Sequence, residues 1–273
     1  MAEDLIMAGL SRLAIVTGAS SGIGLELAKL AAEEGYDLIV AADTPLIDAS
    51  RELEAYGVEV RNVETDLSTF AGVDRLIDAA GGRPVDLLVA NAGHGLGRAF
   101  LEQDPAEWRH VIDTNVTGTV YLVQQVARSM VARNRGRILI TGSIAGHMAG
   151  AFQAVYNGSK AFIDSFADAL VNELKESEVT VTCLKPGATD TRFFERADLK
   201  DTRVGTAPKD DPAAVAKTGW EAMKKGDRSV IHGLHNKLQV AAASVLGGGV
   251  SAEMHRHLAE PGTAGKEDKS DPR

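Results

Sequence analysis

Thr17-Gly18-Ala19-Ser20-Ser21-Gly22-Ile23-Gly24 follows the apolar run Leu13 to Val16 and leads into Leu25 to Glu34, whose apolar residues carry helical spacing before Gly35. A strand that ends in a glycine-rich turn and opens a helix has a specific physical use. Glycine lets the backbone turn tightly and come close to a ligand. The helix N-terminus adds unpaired N–H groups and a positive dipole end. Together they form a cradle for a pyrophosphate, at the place where a doubly wound sheet binds a dinucleotide. The candidate contacts are Gly18, Ser20, Ser21, Gly22, Ile23 and Gly24. The glycine spacing is G-x-x-x-G-x-G, which differs from G-x-G-x-x-G, and the competing reading is a plain strand-to-helix turn.

The same alternation continues outward from that turn. Strand-length apolar runs occur at Asp37–Ala42, Val58–Val63, Val85–Ala90, Arg137–Thr141 and Val179–Leu184. Helix-patterned segments separate them at Leu46–Tyr56, Phe70–Ala80, Trp108–Ala132 and Ala154–Lys175. Strands without polar alternation are buried on both faces, which predicts a parallel sheet covered by helices on both sides. Right-handed crossovers then give a single Rossmann-like, doubly wound α/β fold. The rhythm stops after Gly187: Thr189–Asp211 is polar and irregular around Phe193-Phe194. Helices over Pro212–Lys225 and Leu234–Leu246 and a short strand at Ser229–Ile231 complete the pattern. One domain over 11–260 is expected, with a leader at 1–10 and a frayed tail at 261–273.

Composition narrows the function. The chain has 273 residues and a net charge of -9, with no long Lys/Arg run, which argues against nucleic acid as a partner. Cys183 is the only cysteine, so no internal disulfide or multi-cysteine zinc site is possible, as in a reducing compartment. Glu3 and Asp4 stand where a signal peptide carries basic residues, and the apolar stretch Val240–Val250 is far too short for a membrane span. A cytoplasmic protein is expected. Its 28 glycines, about a tenth of the chain, show no collagen period and are embedded in apolar segments.

Further motifs follow the glycine turn in order. They are Asp66-Leu67 after the third strand, Asn91-Ala92-Gly93 after the fourth, Asn115 in the long helix, Ser143 after the fifth strand, Tyr156-x-x-x-Lys160, and Pro186-Gly187 with Thr189. With Thr17 to Gly24, this ordered set resembles the short-chain dehydrogenases/reductases over about Ser11 to Ile231. The resemblance implies an NAD(P)-dependent oxidoreductase that moves a hydride between nicotinamide and a carbonyl or secondary alcohol. It assigns Ser143 to the substrate oxygen, Tyr156 to acid/base chemistry, Lys160 to the ribose hydroxyls and the tyrosine pKa, and Asn115 to a water linked to Lys160. It also places Asp66 at the adenine, and Asn91-Ala92-Gly93, Pro186-Gly187 and Thr189 toward the nicotinamide. The long helices resemble those that pair subunits in this family, which implies a homodimer or homotetramer.

The residues support that chemistry independently. Tyr156 and Lys160 lie one helical turn apart on one face. A free phenol titrates near pH 10, and a neighbouring ammonium stabilises the phenolate. Ser143 stands at the carboxyl edge of its strand, able to stabilise negative charge on a substrate oxygen. Asp43, at the end of the second strand, can accept ribose hydroxyls and repel a 2′-phosphate, which favours NAD(H) over NADP(H). The competing readings are caps: Asp43 for the turn at Thr44-Pro45, Asp66 for the helix near Phe70, and Ser143 for a turn. His232, His235, His255 and His257 read as solvated, Cys183 as inert core, and Phe193-Phe194 as a lid or packing pair. Two other functions compete. A dinucleotide-sensing or scaffold protein has no need of a tuned phenol. A nucleotide-sugar epimerase needs a larger substrate domain after Pro186.

Overall fold

A computed structural model describes residues 11–265 of the chain; the expected leader lies outside the described residues. Seven strands form one parallel sheet in the order 3-2-1-4-5-6-7. They are β1 (Leu13–Thr17), β2 (Asp37–Ala42), β3 (Val60–Glu64), β4 (Val85–Ala90), β5 (Gly136–Thr141), β6 (Val179–Lys185) and β7 (Ser229–Ile231). The order reverses between β1 and β4, which opens a crevice at their carboxyl ends.

Strand pleating sends alternate residues to two separate cores. Leu13, Ile15, Leu88, Ala90, Ile138 and Ile140 face one side. There they meet α3 (Phe70–Asp78), α5 (Thr119–Ala132) and α6 (Ala154–Glu173). Ala14, Val16, Leu87, Val89 and Leu139 face the other. They pack on α1 (Gly22–Glu33), α2 (Ile47–Glu54) and α9 (Pro212–Lys225). Both faces are therefore apolar, which is why the strands show no polar alternation in sequence. Tyr36 and Trp220 meet edge to face at 6.5 Å, and Glu34 accepts a hydrogen bond from the Trp220 indole at 2.9 Å, locking α9 to the end of α1.

Several elements differ from the sequence expectation. The long helix begins earlier, at α4 (Pro105–Ile112), because Asp104 accepts from Ala106 N and Pro105 occupies the first turn. A π-helical turn at Asp113–Gly118 interrupts it before α5. At Gly118 a side chain would run into the carbonyl oxygen of Leu67, so helix and loop touch backbone to backbone. The irregular 189–211 segment contains two short helices, α7 (Phe193–Arg196) and α8 (Arg203–Thr206), around Phe194, Ala197 and Leu199.

The last expected helix, α10, spans Leu234–Val245, and a further helix, α11 (Gly248–Ala259), follows it. Gly247 is the N-cap of α11, and side chains at Gly247, Gly248 and Gly249 would meet open space. That glycine run therefore marks a helix junction rather than a close approach. At the start of the expected tail, Gly262 N and Ala264 N donate to Asp201, and Thr263 Oγ1 accepts from Arg203 N; residues 266–273 lie outside the described residues. No helix of the described residues is long and apolar enough to cross a membrane.

Leu139 is fully buried in β5 at the centre of the second core. Leu139→Ala is expected to cost about 2–5 kcal/mol of unfolding free energy, read from the urea midpoint at unchanged m-value.

Candidate active site

The carboxyl ends of β1 to β6 open into one cavity of about 590 Å³. Its wall contains Gly18, Ser20, Ser21, Gly22 and Ile23 from the first turn, and Asp43, Asp66 and Leu67 beyond β2 and β3. Asn91, Ala92 and Gly93 line it after β4, with Ser143, Tyr156, Lys160, Pro186, Gly187 and Thr189 farther along. Two expected site residues stand behind the wall. Gly24 is buried, where a Cβ would collide with Gly18 O and Asn91, so its small size closes the turn. Asn115 is also buried: its amide donates to His94 O at 2.9 Å and Ser159 Oγ at 3.0 Å, and its Oδ1 accepts from His94 N at 2.8 Å.

A knot of hydrogen bonds fixes the strand ends. Thr17 Oγ1 accepts from Asn91 N at 2.9 Å and Ala92 N at 3.0 Å, while Asn91 Nδ2 donates to Thr17 O. Thr141 Oγ1 in turn donates to Asn91 Oδ1 at 3.0 Å. These contacts join β1, β4 and β5 at the reversal point. Positive φ at Gly18 (66°) and Gly22 (60°) shows why the turn requires glycine.

The acidic residues settle two questions of capping. Thr69, not Asp66, caps α3 by accepting from Gly72 N, while Asp66 accepts from Ser68 N. Asp43 bridges the cleft: His94 Nε2 lies 3.0 Å from its carboxylate and Arg196 Nη1 3.9 Å. The His94 hydrogen bond holds the Asp43 carboxyl below its usual pKa, against a smaller effect of burial, with Arg196 adding to it. Neither partner was foreseen, because His94 and Arg196 are remote from Asp43 in sequence.

Around the tyrosine, burial pushes the Tyr156 phenol up to about 12; a hydrogen bond with Ser143 pulls it down, and the charge of Asp164 pushes it up. Ser143 also caps the following turn, accepting from Ala145 N at 3.1 Å, as its cap reading expects. Lys160 Nζ donates to Thr141 O at 2.9 Å. Burial lowers the Lys160 pKa, while Asp164 opposes that fall. A Cβ on Gly93 would sit 3.2 Å from Asn115 Oδ1 and 3.5 Å from Lys160 Nζ, so both groups converge on that glycine. Phe193 packs its ring 5.1 Å from that of Tyr156.

Behind Lys160 stands a buried carboxylate that the sequence reading missed. Asp164, one turn further along α6, lies 3.4 Å from His147 Nε2, 3.7 Å from Lys185 Nζ and 3.5 Å from Cys183 Sγ. Its pKa is raised by burial, against the pull of Lys185, His147 and Lys160. Gly142 and Gly146 face it, and any side chain there would displace the carboxylate. Its only sequence signal is position: a charged residue on the apolar face of a helix, four after Lys160. Cys183 is fully buried with its thiol raised to about 12, as an unreactive core residue.

A family model described as short chain dehydrogenase matches residues 12–201. The 3-dehydrosphinganine reductase of Arabidopsis thaliana is 33% identical over 230 residues, covering 80% of this chain and 69% of the relative. A short chain dehydrogenase/reductase from Burkholderia phymatum in complex with NAD superimposes with a TM-score of 0.76 at 27% identity, covering 84% of this chain and 92% of that one. The L-sorbose reductase of Gluconobacter frateurii, complexed with NADPH and L-sorbose, superimposes with a TM-score of 0.70 at 26% identity, covering 81% and 94%.

Gly142→Ala forces a methyl group into the Asp164 carboxylate at the base of the Ser143 turn. The expected cost is about 1–3 kcal/mol of stability, measured by urea unfolding, with the Gly158→Ala change, which meets open space, as the control.

Proposed function

The chain belongs to the short-chain dehydrogenase family, and from that premise we propose how its own residues serve an NAD(P)-dependent hydride transfer involving a carbonyl or secondary alcohol. The observation that carries the reading is the shared wall: the glycine cradle and the Ser143, Tyr156 and Lys160 group line one cavity. A dinucleotide suits the cradle, because Gly18 and Gly22 line the cavity with bare backbone at positive φ, ahead of a helix N-terminus. Gly18, Ser20, Ser21, Gly22 and Ile23 hold the pyrophosphate, with Gly24 closing the turn behind them. Asp66 and Leu67 take the adenine, and Asn91-Ala92-Gly93, Pro186-Gly187 and Thr189 the nicotinamide half. When bound, the cofactor supplies or accepts the hydride.

The protein orients the substrate and handles the proton. Ser143 hydrogen-bonds the substrate oxygen and stabilises its developing charge. Tyr156 donates a proton to that oxygen during reduction and removes one during oxidation. Lys160 contacts the ribose hydroxyls and favours the phenolate. Asn115 keeps the Gly93-His94 backbone beside Lys160, and its Oδ1 is the acceptor for a water near the ammonium.

NAD(H) is the favoured cofactor. Asp43 is held ionised, so it can accept ribose hydroxyls and repel a 2′-phosphate. We place the enzyme in the cytoplasm as a homodimer or homotetramer, with residues 11–260 as its catalytic domain. Exposed Phe162 (47%) on α6, and Phe70 (56%) on α3, whose ring packs 4.6 Å from Tyr121 of α5, support self-association through the long helices. The relatives described above include a reductase and two cofactor complexes, and none favours a non-catalytic sensor.

The test follows NADH and NADPH absorbance across ketones, aldehydes and secondary alcohols. Tyr156→Phe is expected to lower kcat by about 10²–10⁴-fold, and undiminished turnover overturns the assignment. Because the protonated phenol is the acid and the phenolate the base, reduction slows and oxidation accelerates as pH rises. Asp43→Ala is expected to raise the NADPH/NADH ratio of kcat/KM about tenfold, since it removes the group that repels the phosphate. An unmoved ratio removes the case for NAD(H).

A further inference from the structure

The wall opposite the cofactor cradle comes from the end of the chain. Helix α11 holds the turn at 149–153, which leads into Tyr156, by three contacts. Ser251 Oγ accepts from Ala149 N at 3.2 Å, His255 Nδ1 lies 2.9 Å from Ala151 O, and the Arg256 guanidinium stands 5.1 Å from the centre of the Phe152 ring.

The His255 contact determines what the ring can offer. A carbonyl oxygen only accepts, so Nδ1 carries the proton. Burial lowers the imidazole pKa and keeps the ring neutral, with a single proton. Nε2 is therefore a bare acceptor. His255 is 7% exposed and lines the cavity, and Nε2 has no hydrogen-bond partner among the described residues. Gln153 ends the same turn, is 6% exposed and also lines the cavity; its side-chain amide has no partner among the described residues. The free atoms of both side chains open onto the cavity rather than being sealed in the core, so a bound ligand can meet them.

The surroundings restrict that ligand. Met148, Phe193, Phe194, Leu234 and Leu258 are bulky apolar residues of the cavity wall, with the Gln239 amide against Met148. The Lys and Arg side chains of the cavity wall are Lys160, Arg192 and Arg196. Lys160 belongs to the tyrosine group and Arg196 reaches Asp43. Arg192 follows Thr191, which packs on the position of Gly22 in the phosphate turn. A carboxylate beside His255 would face a bare acceptor without a cation, and a carbonyl would leave Nε2 unmet. A hydroxyl donates and accepts through one atom.

We propose that Gln153 and His255 form a subsite for a hydroxyl group that an otherwise apolar ketone or secondary alcohol carries away from its reacting carbon. The hydroxyl gives its hydrogen to His255 Nε2 and accepts one from Gln153 Nε2. The proposal rests on the hydride-transfer reading above and adds the substrate class to it.

The experiment uses the full chain with NADH and two substrate pairs: benzylacetone with its para-hydroxy derivative, and a decalone with its hydroxydecalone. The wild-type enzyme is expected to prefer the hydroxylated member of at least one pair by about tenfold or more in kcat/KM, the effect of one well-placed hydrogen bond. Gln153→Leu and His255→Leu, which keep similar volume, are expected to bring that ratio close to one. Equal kcat/KM within both pairs for the wild-type enzyme overturns the subsite while leaving hydride transfer intact. A preference that survives both substitutions also overturns it. No turnover of any ketone with either NADH or NADPH overturns the hydride-transfer reading, and the subsite with it.

Discussion

The close approach of the first glycine turn to the end of β4 is the constraint on which the site depends. Gly24 leaves no room for a Cβ between Gly18 O and Asn91, while the Thr17 hydroxyl holds the Asn91 and Ala92 amides. These contacts sit where the strand order reverses, so one knot closes the turn and sets the mouth of the crevice. The Thr141–Asn91 hydrogen bond extends it to β5, the strand that leads to Ser143. The glycine turn and the serine turn are therefore registered to each other through short side chains, with the Thr17 and Thr141 hydroxyls buried between the strand ends. Short buried side chains have little freedom to lose, which suits groups that must meet within hydrogen-bond distance.

On the other side of the serine turn, packing is electrostatic as well as steric. Asp164 is shut between two glycines, a thiol, a histidine and two lysines. Its negative charge acts on the neighbouring lysine and tyrosine in opposite chemical senses. It favours the Lys160 ammonium, and it disfavours the Tyr156 phenolate. The first effect opposes the loss of charge that burial imposes on Lys160. The second adds to burial in holding the phenol protonated, with the Ser143 hydrogen bond opposing both. Lys185, buried on the adjacent strand, limits the cost of placing a carboxylate there.

The sequence revealed what local rules control. Apolar runs without alternation gave the two-faced parallel sheet, because β1, β4 and β5 send successive apolar side chains into one core and then the other. Glycines at positive φ, and the Tyr156–Lys160 spacing, are likewise local. The missed features depend on contacts between distant segments. At the end of the π-helical turn Asp113–Gly118, Gly118 abuts the Leu67 carbonyl, about fifty residues earlier in the chain. Asp43 meets His94 and Arg196, and Thr69 rather than Asp66 caps α3. His255 looked like one of several solvated histidines, yet α11 buries it against Ala151. No spacing rule reports a contact of that length.

This division follows the two jobs of the site. A dinucleotide presents the same phosphates and ribose wherever it binds, so the strand-end turns that meet it carry a compact, repeatable code. The opposite wall is assembled from α7, α10, α11 and the turn before α6, which lie far apart along the chain. Its chemistry lies in which lone pairs remain unmet once the chain has satisfied its other groups. Gln153 and His255 become informative only in that accounting, since each alone is an ordinary polar residue. The substrate half of such a site is therefore read from the unpaired atoms of its wall, where the cofactor half is read from glycine spacing.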